Sequence, residues 1–111
     1  MAKKKEAKKP DNKKIRIALD AMGGDNAPQE IVKGAVAAAH DAELEVVMMG
    51  QESTLKEELA KSGYTGSGIS IVNADEVIEM GDPPVWAIKN KRDSSIVVGI
   101  DLLKSEEVSA F

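Results

Sequence analysis

Ile15-Arg16-Ile17-Ala18-Leu19-Asp20 runs directly into Ala21-Met22-Gly23-Gly24-Asp25-Asn26-Ala27-Pro28. A short, weakly alternating apolar run that meets a glycine pair and a proline reads as a strand followed by a turn. From Pro28 to about His40, Ile31, Val32, Ala35, Val36 and Ala39 recur at helical spacing. Asp25 or Asn26 can cap that helix, and Pro28 fits its first turn, where a missing N–H costs least. The pattern then repeats. Leu44-Glu45-Val46-Val47-Met48-Met49, closed by Gly50, is a buried strand at that length. Thr54-Leu55-Lys56-Glu57 has the capping-box pattern, Leu55 and Leu59 share a face, and Gly63 is a fitting stop. Ile69 to Val72 is a third strand, and Ala74 to Pro83, without a clear period, reads as a long loop. Pro83-Pro84 opens a short helix through Ala87 and Ile88, and a stronger helix runs from about Ser95 to Lys104 with Ile96, Ile100 and Leu103 on one side. Strands alternating with helices predict an α/β fold: parallel pairing, right-handed crossovers and helices on both faces of the sheet. Val108-Ser109-Ala110-Phe111 reads as a strand just beginning, with no closing turn. Such a sheet leaves an edge open to pairing, so residues 15–111 are expected to be the N-terminal part of a longer domain.

The 111 residues carry a formal net charge of −4, with one His, no Cys and one each of Phe, Trp and Tyr. The length suits one domain that buries roughly 60–70% of its unfolded surface. Without Cys there is no disulfide framework, thiolate nucleophile or thiolate metal site. A single His supplies no multi-histidine metal site, so no metal and no cofactor are expected. No apolar run approaches the roughly 18–20 residues that span a bilayer, and the basic start is not followed by the apolar stretch of a secretory signal. A cytoplasmic protein is the default expectation. Residues 1–14 hold seven Lys against Glu6 and Asp11, a balance of +5, whereas 15–111 hold eight basic against seventeen acidic side chains, a balance of −9. The tail has little to bury and is expected to be disordered, either as a solvated extension or as an electrostatic foot for anionic lipid. The acidic body and scarce aromatics argue against nucleic acid as a partner.

Asp20-Ala21-Met22-Gly23-Gly24-Asp25-Asn26-Ala27-Pro28, directly after an apolar strand, resembles the opening signature of the bacterial phosphate acyltransferase (acyl-carrier-protein:phosphate acyltransferase) family. A second similarity lies at Pro84-Val85-Trp86-Ala87-Ile88-Lys89-Asn90-Lys91-Arg92-Asp93-Ser94-Ser95, where the family shows Pro-x-x-Ala, a basic residue, and Ser before a helix. Ser109-Ala110-Phe111 falls where family members approach a Ser-Ala-Gly-Asn-Thr-Gly-Ala segment. Lys89 departs from the pattern, which has Arg there, and a Lys loses any bidentate grip. The resemblance covers essentially 15–111. It implies a three-layer α/β/α fold with a mostly parallel sheet, similar to phosphate acetyltransferases and isopropylmalate-type dehydrogenases, and usually dimeric. It also implies transfer of a fatty acyl group from acyl carrier protein to inorganic phosphate, the acyl phosphate feeding phospholipid synthesis. The alternatives are a non-catalytic module that binds a phosphoryl ligand or acyl carrier protein, and a dehydrogenase of the related fold.

Phosphate attack on a thioester needs a held anion, an accessible carbonyl and stabilisation of the developing oxyanion. Phosphate is itself the nucleophile, so neither Cys nor a Ser–His pair is required. Gly23 and Gly24 before a helix start can expose backbone N–H groups to an anion, although the G-x-G-x-x-G dinucleotide pattern is absent. Asp20 and Asp25 flank them. A carboxylate ~4 Å from a unit negative charge costs about 4 kcal/mol at an effective dielectric of about 20, while a helix dipole returns at most ~2 kcal/mol. At least one Asp is therefore expected to turn away and fix the turn by accepting backbone N–H groups. The loop, Asn26 included, reads either as a phosphate-contacting cleft or as an Asx-capped turn without ligand contact. Ser94 and Ser95 read as N-caps or as donors to a second anion point. Lys89, Lys91 and Arg92 form either a solvated face or a contact for substrate phosphate or the acidic surface of acyl carrier protein. His40 near a helix C-terminus is expected to be structural, Trp86 a packing residue, and Met48 and Met49 ordinary core.

Overall fold

The computed structural model describes residues 15–23, 26–41, 43–79 and 81–111. The expected disordered tail at 1–14, together with Gly24 and Asp25 of the glycine loop, lies outside the described residues. Three strands and four helices follow one another: β1 (Ile15–Asp20), α1 (Gln29–Ala38), β2 (Leu44–Gly50), α2 (Glu52–Ser62), β3 (Ile69–Asn73), α3 (Pro84–Asn90) and α4 (Ser95–Lys104). The strands pair in parallel in the order β1-β2-β3, with Ala18 opposite Val47 and Met48 opposite Ile71.

β2 is the central strand, and Glu45 through Gly50 are all buried. Its unbroken apolar run reflects cover on both faces. Alternation along the strands divides the interior into two cores. Ala18, Val47, Met49, Val72 and Ala74 pack with Val98, Leu102 and Val108 under α4. Val46 and Met48 pack with Val32, Ala35 and Leu55 under α1 and α2, joined by Leu19, Ile69 and Ile71. Met48 and Met49 are both fully buried, yet they serve opposite cores. Each such side chain contributes roughly 1.5–3 kcal/mol of apolar burial. The result is the expected α/β architecture with helices on both faces.

The begun strand at the end of the sequence also finds its place. Ser109 N–H donates to the Arg16 carbonyl (2.8 Å) and Ala18 N–H to the Ala110 carbonyl (2.8 Å), so Ala110 pairs in parallel with Ile17. That segment lies on the edge of β1 away from β2, giving the spatial order 109–110, β1, β2, β3.

Two helix starts differ from expectation. α1 is preceded by Pro28 with no side-chain cap, and Asn26 contributes its carbonyl to Glu30 N–H (3.1 Å) instead of its side chain. α2 begins at Glu52, which places Thr54 inside the first turn and leaves the expected capping box unformed. Asn73, at the end of β3, supplies the missing acceptor: its Oδ1 takes Glu52 N–H at 2.9 Å. Gly63 ends α2 as expected, with φ 76° in the left-handed region that glycine adopts without steric cost.

Trp86 is not the packing residue expected. It is 48% exposed, Val85 and Ile88 beside it are exposed too, and Ala87 is the buried residue of α3.

Candidate functional site

β1 and the 109–110 segment are neighbours approached from opposite faces. The crossover from β1 to β2 carries α1 on one face, and the chain returns from β3 through α4 on the other. Strand order therefore reverses at β1. In open parallel sheets the ligand crevice lies beyond the carboxyl ends of the strands at such a reversal. Asp20, the last residue of β1, stands there.

The Asp20 carboxylate is held by groups from two parts of the chain. Its Oδ1 accepts Met22 N–H (3.0 Å) and the Ser95 hydroxyl (2.6 Å), the latter from the first residue of α4. A hydroxyl-to-carboxylate bond of that length is charge-assisted. Asp20 thus fixes the turn by accepting a backbone N–H. Gly23 comes so close over it that a Cβ there would stand 3.0 Å from Asp20 Oδ2. Ser94 is fully buried and caps α4, its Oγ accepting Val97 N–H at 3.3 Å. Ser95 is only 3% exposed, and its single hydroxyl proton goes to Asp20. The two serines therefore face inward and are not offered to solvent. Sequence adjacency did not reveal this, because Asp20 and Ser95 lie 75 positions apart.

The neighbouring strand ends are stitched to this corner. Ala21 N–H donates to the Met49 carbonyl (3.0 Å) and Ala74 N–H to the Gly50 carbonyl (2.8 Å). Met22 lies across Gly50, where a Cβ would be 2.7 Å from Met22 Cγ. Asn26 is exposed, whereas Gly24 and Asp25 fall outside the described residues.

The basic run splits. Lys89 and Arg92 are exposed, but Lys91 is not the free cation expected. Its ammonium donates to the Val77 carbonyl (2.7 Å) and to Asp82 Oδ2 (2.8 Å), closing the 77–91 loop on itself. The Lys91 bond, with Glu79 N–H donated to the same carboxylate, holds Asp82 below its ordinary pKa of 3.8. Asp93 fastens the loop's other end: Asp75 N–H donates to its Oδ2 (3.0 Å), and its own N–H donates to Glu76 Oε1 (3.0 Å).

Sequence reasoning also missed Arg16 and Glu45. They face each other across β1 and β2 and form a buried ion pair, Nε to Oε1 2.9 Å, with Arg16 Nη1 donating to the Glu107 carbonyl at 3.1 Å. The signal was a charge on the same side of each strand as buried apolar neighbours. An open groove of about 640 Å³ lies at the opposite, amino end of the strands, lined by His40, Ser62, Tyr64 and Ser67 among others. There His40 makes an edge-on ring contact with Tyr64 (6.5 Å), which agrees with its structural reading.

A parallel α/β layer in which Gly23 packs over the carboxylate that ends its first strand, at the strand-order reversal, defines the fold class. The chain belongs to the family described as fatty acid synthesis protein, whose model matches residues 15–111. It is 51% identical over 94 residues to the phosphate acyltransferase of Dictyoglomus turgidum, covering 85% of this chain and 28% of that protein. It is 46% identical over 98 residues to that of Thermoanaerobacter pseudethanolicus (87% and 28%) and 50% over 97 residues to that of Fusobacterium nucleatum (86% and 29%). The chain thus spans under a third of the length of these relatives. The family resemblance seen at the glycine loop holds across 15–111.

Proposed function

We propose that this chain forms part of a phosphate acyltransferase, an enzyme of lipid synthesis that moves a fatty acyl group from acyl carrier protein to inorganic phosphate. A phosphate oxygen attacks the thioester carbonyl, the C–S bond breaks, the carrier's thiol leaves, and an acyl phosphate results. Phosphate binding is assigned to the segment after β1 (Gly23, Gly24, Asp25 and Asn26), with Asp20 held by Ser95 at its start and Ser94 capping α4. Lys89 and Arg92 offer exposed cations to the acidic carrier, where rim charges chiefly speed association. The enzyme works as a cytoplasmic homodimer, with the lysine-rich tail reaching anionic membrane. The observation that supports the reading is the Asp20–Ser95 bond, which joins the start of α4 to the end of β1, where the family's glycine motif begins. The test is acyl phosphate formation by the full-length protein from an acyl carrier protein thioester. Product that requires added phosphate supports the reading, and carrier release without phosphate dependence refutes it.

A further inference from the structure

We propose that Asp20 and Ser95 are a positioning pair that tunes affinity for the phosphate co-substrate without either side chain touching it. The inference rests on the phosphate acyltransferase reading and names the residues that set one of its two substrate affinities. Ser95 Oγ–H reaches Asp20 Oδ1 at 2.6 Å, from the opposite helical layer to the one the β1 loop leads into. The same oxygen takes Met22 N–H at 3.0 Å, and Gly23 packs close over the carboxylate, where a Cβ would stand 3.0 Å from Oδ2. The carboxylate is thereby held at the first residue of α4 through a side-chain hydroxyl, while Ser94 caps the helix by accepting Val97 N–H.

Without the Ser95 hydroxyl, Asp20 loses its charge-assisted partner while keeping its charge. The carboxylate then has freedom to swing toward the crevice, where it repels an incoming phosphate dianion. An acyl thioester is neutral at its reacting centre and does not experience that repulsion. The consequence is selective: phosphate affinity falls and acyl-donor affinity holds.

The experiment uses the full-length enzyme with phosphate and acyl thioester varied in turn. Ser95→Ala is expected to raise KM for phosphate about tenfold, the value of one charge-assisted hydrogen bond, while KM for the acyl donor stays within about twofold. Ser95→Thr restores the donor and the affinity. Adding Asp20→Asn to Ser95→Ala removes the repelling charge and returns KM for phosphate toward wild type. A direct Ser95–phosphate contact predicts instead that the defect persists in the double variant, which overturns the proposal. An equal rise in both KM values, or no rise, overturns it as well. If Ser95→Ala does not fold, Ser95→Cys keeps the volume with a weaker donor and is held to the same selectivity. An inactive wild type sinks the functional reading and this proposal together, whereas active wild type with an unselective variant sinks this proposal alone.

Discussion

Gly50 closes β2 where there is no room for a side chain, since a Cβ would meet Met22 Cγ at 2.7 Å and Leu55 Cδ1 at 3.1 Å. Both neighbours pack in the α1–α2 core, so neither moves without disturbing it. Gly50→Ala in the full-length protein is expected to cost about 1–3 kcal/mol as overpacking, seen as a lower melting midpoint; an unchanged midpoint would mean that Met22 yields freely. Glu45→Ala should cost more, about 3–5 kcal/mol, because it strands the buried Arg16 guanidinium. Replacing both members with apolar residues of similar volume should recover most of that loss, which denaturant titration of the single and double variants would measure. Gly50 was readable in sequence as a strand stop, but its contact with Met22 was not. The Arg16–Glu45 pair shows the same limit. Each charge was visible in its strand, yet their meeting depends on register, which no local pattern specifies.

Strands and helices were legible wherever hydrophobic period and length agreed, as in β2 and the extent of α4. But α4 buries Val97, Val98 and Leu102 and leaves exposed Ile100 and Leu103 of the expected apolar side, because the sheet meets the face that carries Val98 and Leu102. What escaped were starts and fastenings supplied from afar, such as Asn73 holding the first N–H of α2 in place of Thr54. The loop from 74 to 83 looked featureless for the same reason: its order comes from Lys91, Asp82, Asp93 and Glu76 rather than from any period. That clasp has a pH dependence with a definite sign. Lys91 and Glu79 N–H stabilise ionised Asp82 and lower its pKa in the folded state. The contribution is therefore full above the ordinary value of 3.8 and disappears as pH falls through the lowered one. Trp86, the one Trp of the sequence, lies on the helix the clasp holds, and its carbonyl accepts Asn90 Nδ2–H at 2.8 Å. Its fluorescence is expected to stay constant down to about pH 4 and to change in stronger acid. Asp82→Asn should shift the emission already at neutral pH and abolish the acid step. An unaltered acid transition in that variant would assign the step to other carboxylates.

Charge distribution and length shape the molecule as a whole. The +5 of residues 1–14 against the −9 of the remainder means that anionic surfaces attract one part and repel the other. Each Lys near such a surface contributes about 1 kcal/mol, so deleting residues 2–14 is expected to weaken binding to vesicles rich in anionic lipid and to leave neutral vesicles unaffected. Equal binding before and after deletion would retire the membrane contact. Catalysis makes a larger demand. Acyl transfer to phosphate needs a seat for the anion, a channel for the acyl donor and donors aimed at the developing oxyanion, all held together in one geometry. Within residues 15–111, Asp20, Gly23 and Ser95 meet at the carboxyl end of β1, and the 94 residues matched to the Dictyoglomus turgidum relative cover 28% of it. Binding energy from one wall cannot orient two substrates. The 111-residue chain alone is therefore expected to give no acyl phosphate under conditions in which the full-length protein does, with product measured directly rather than as carrier release. Turnover by the short chain would place the whole catalytic apparatus within its 111 residues and overturn this expectation.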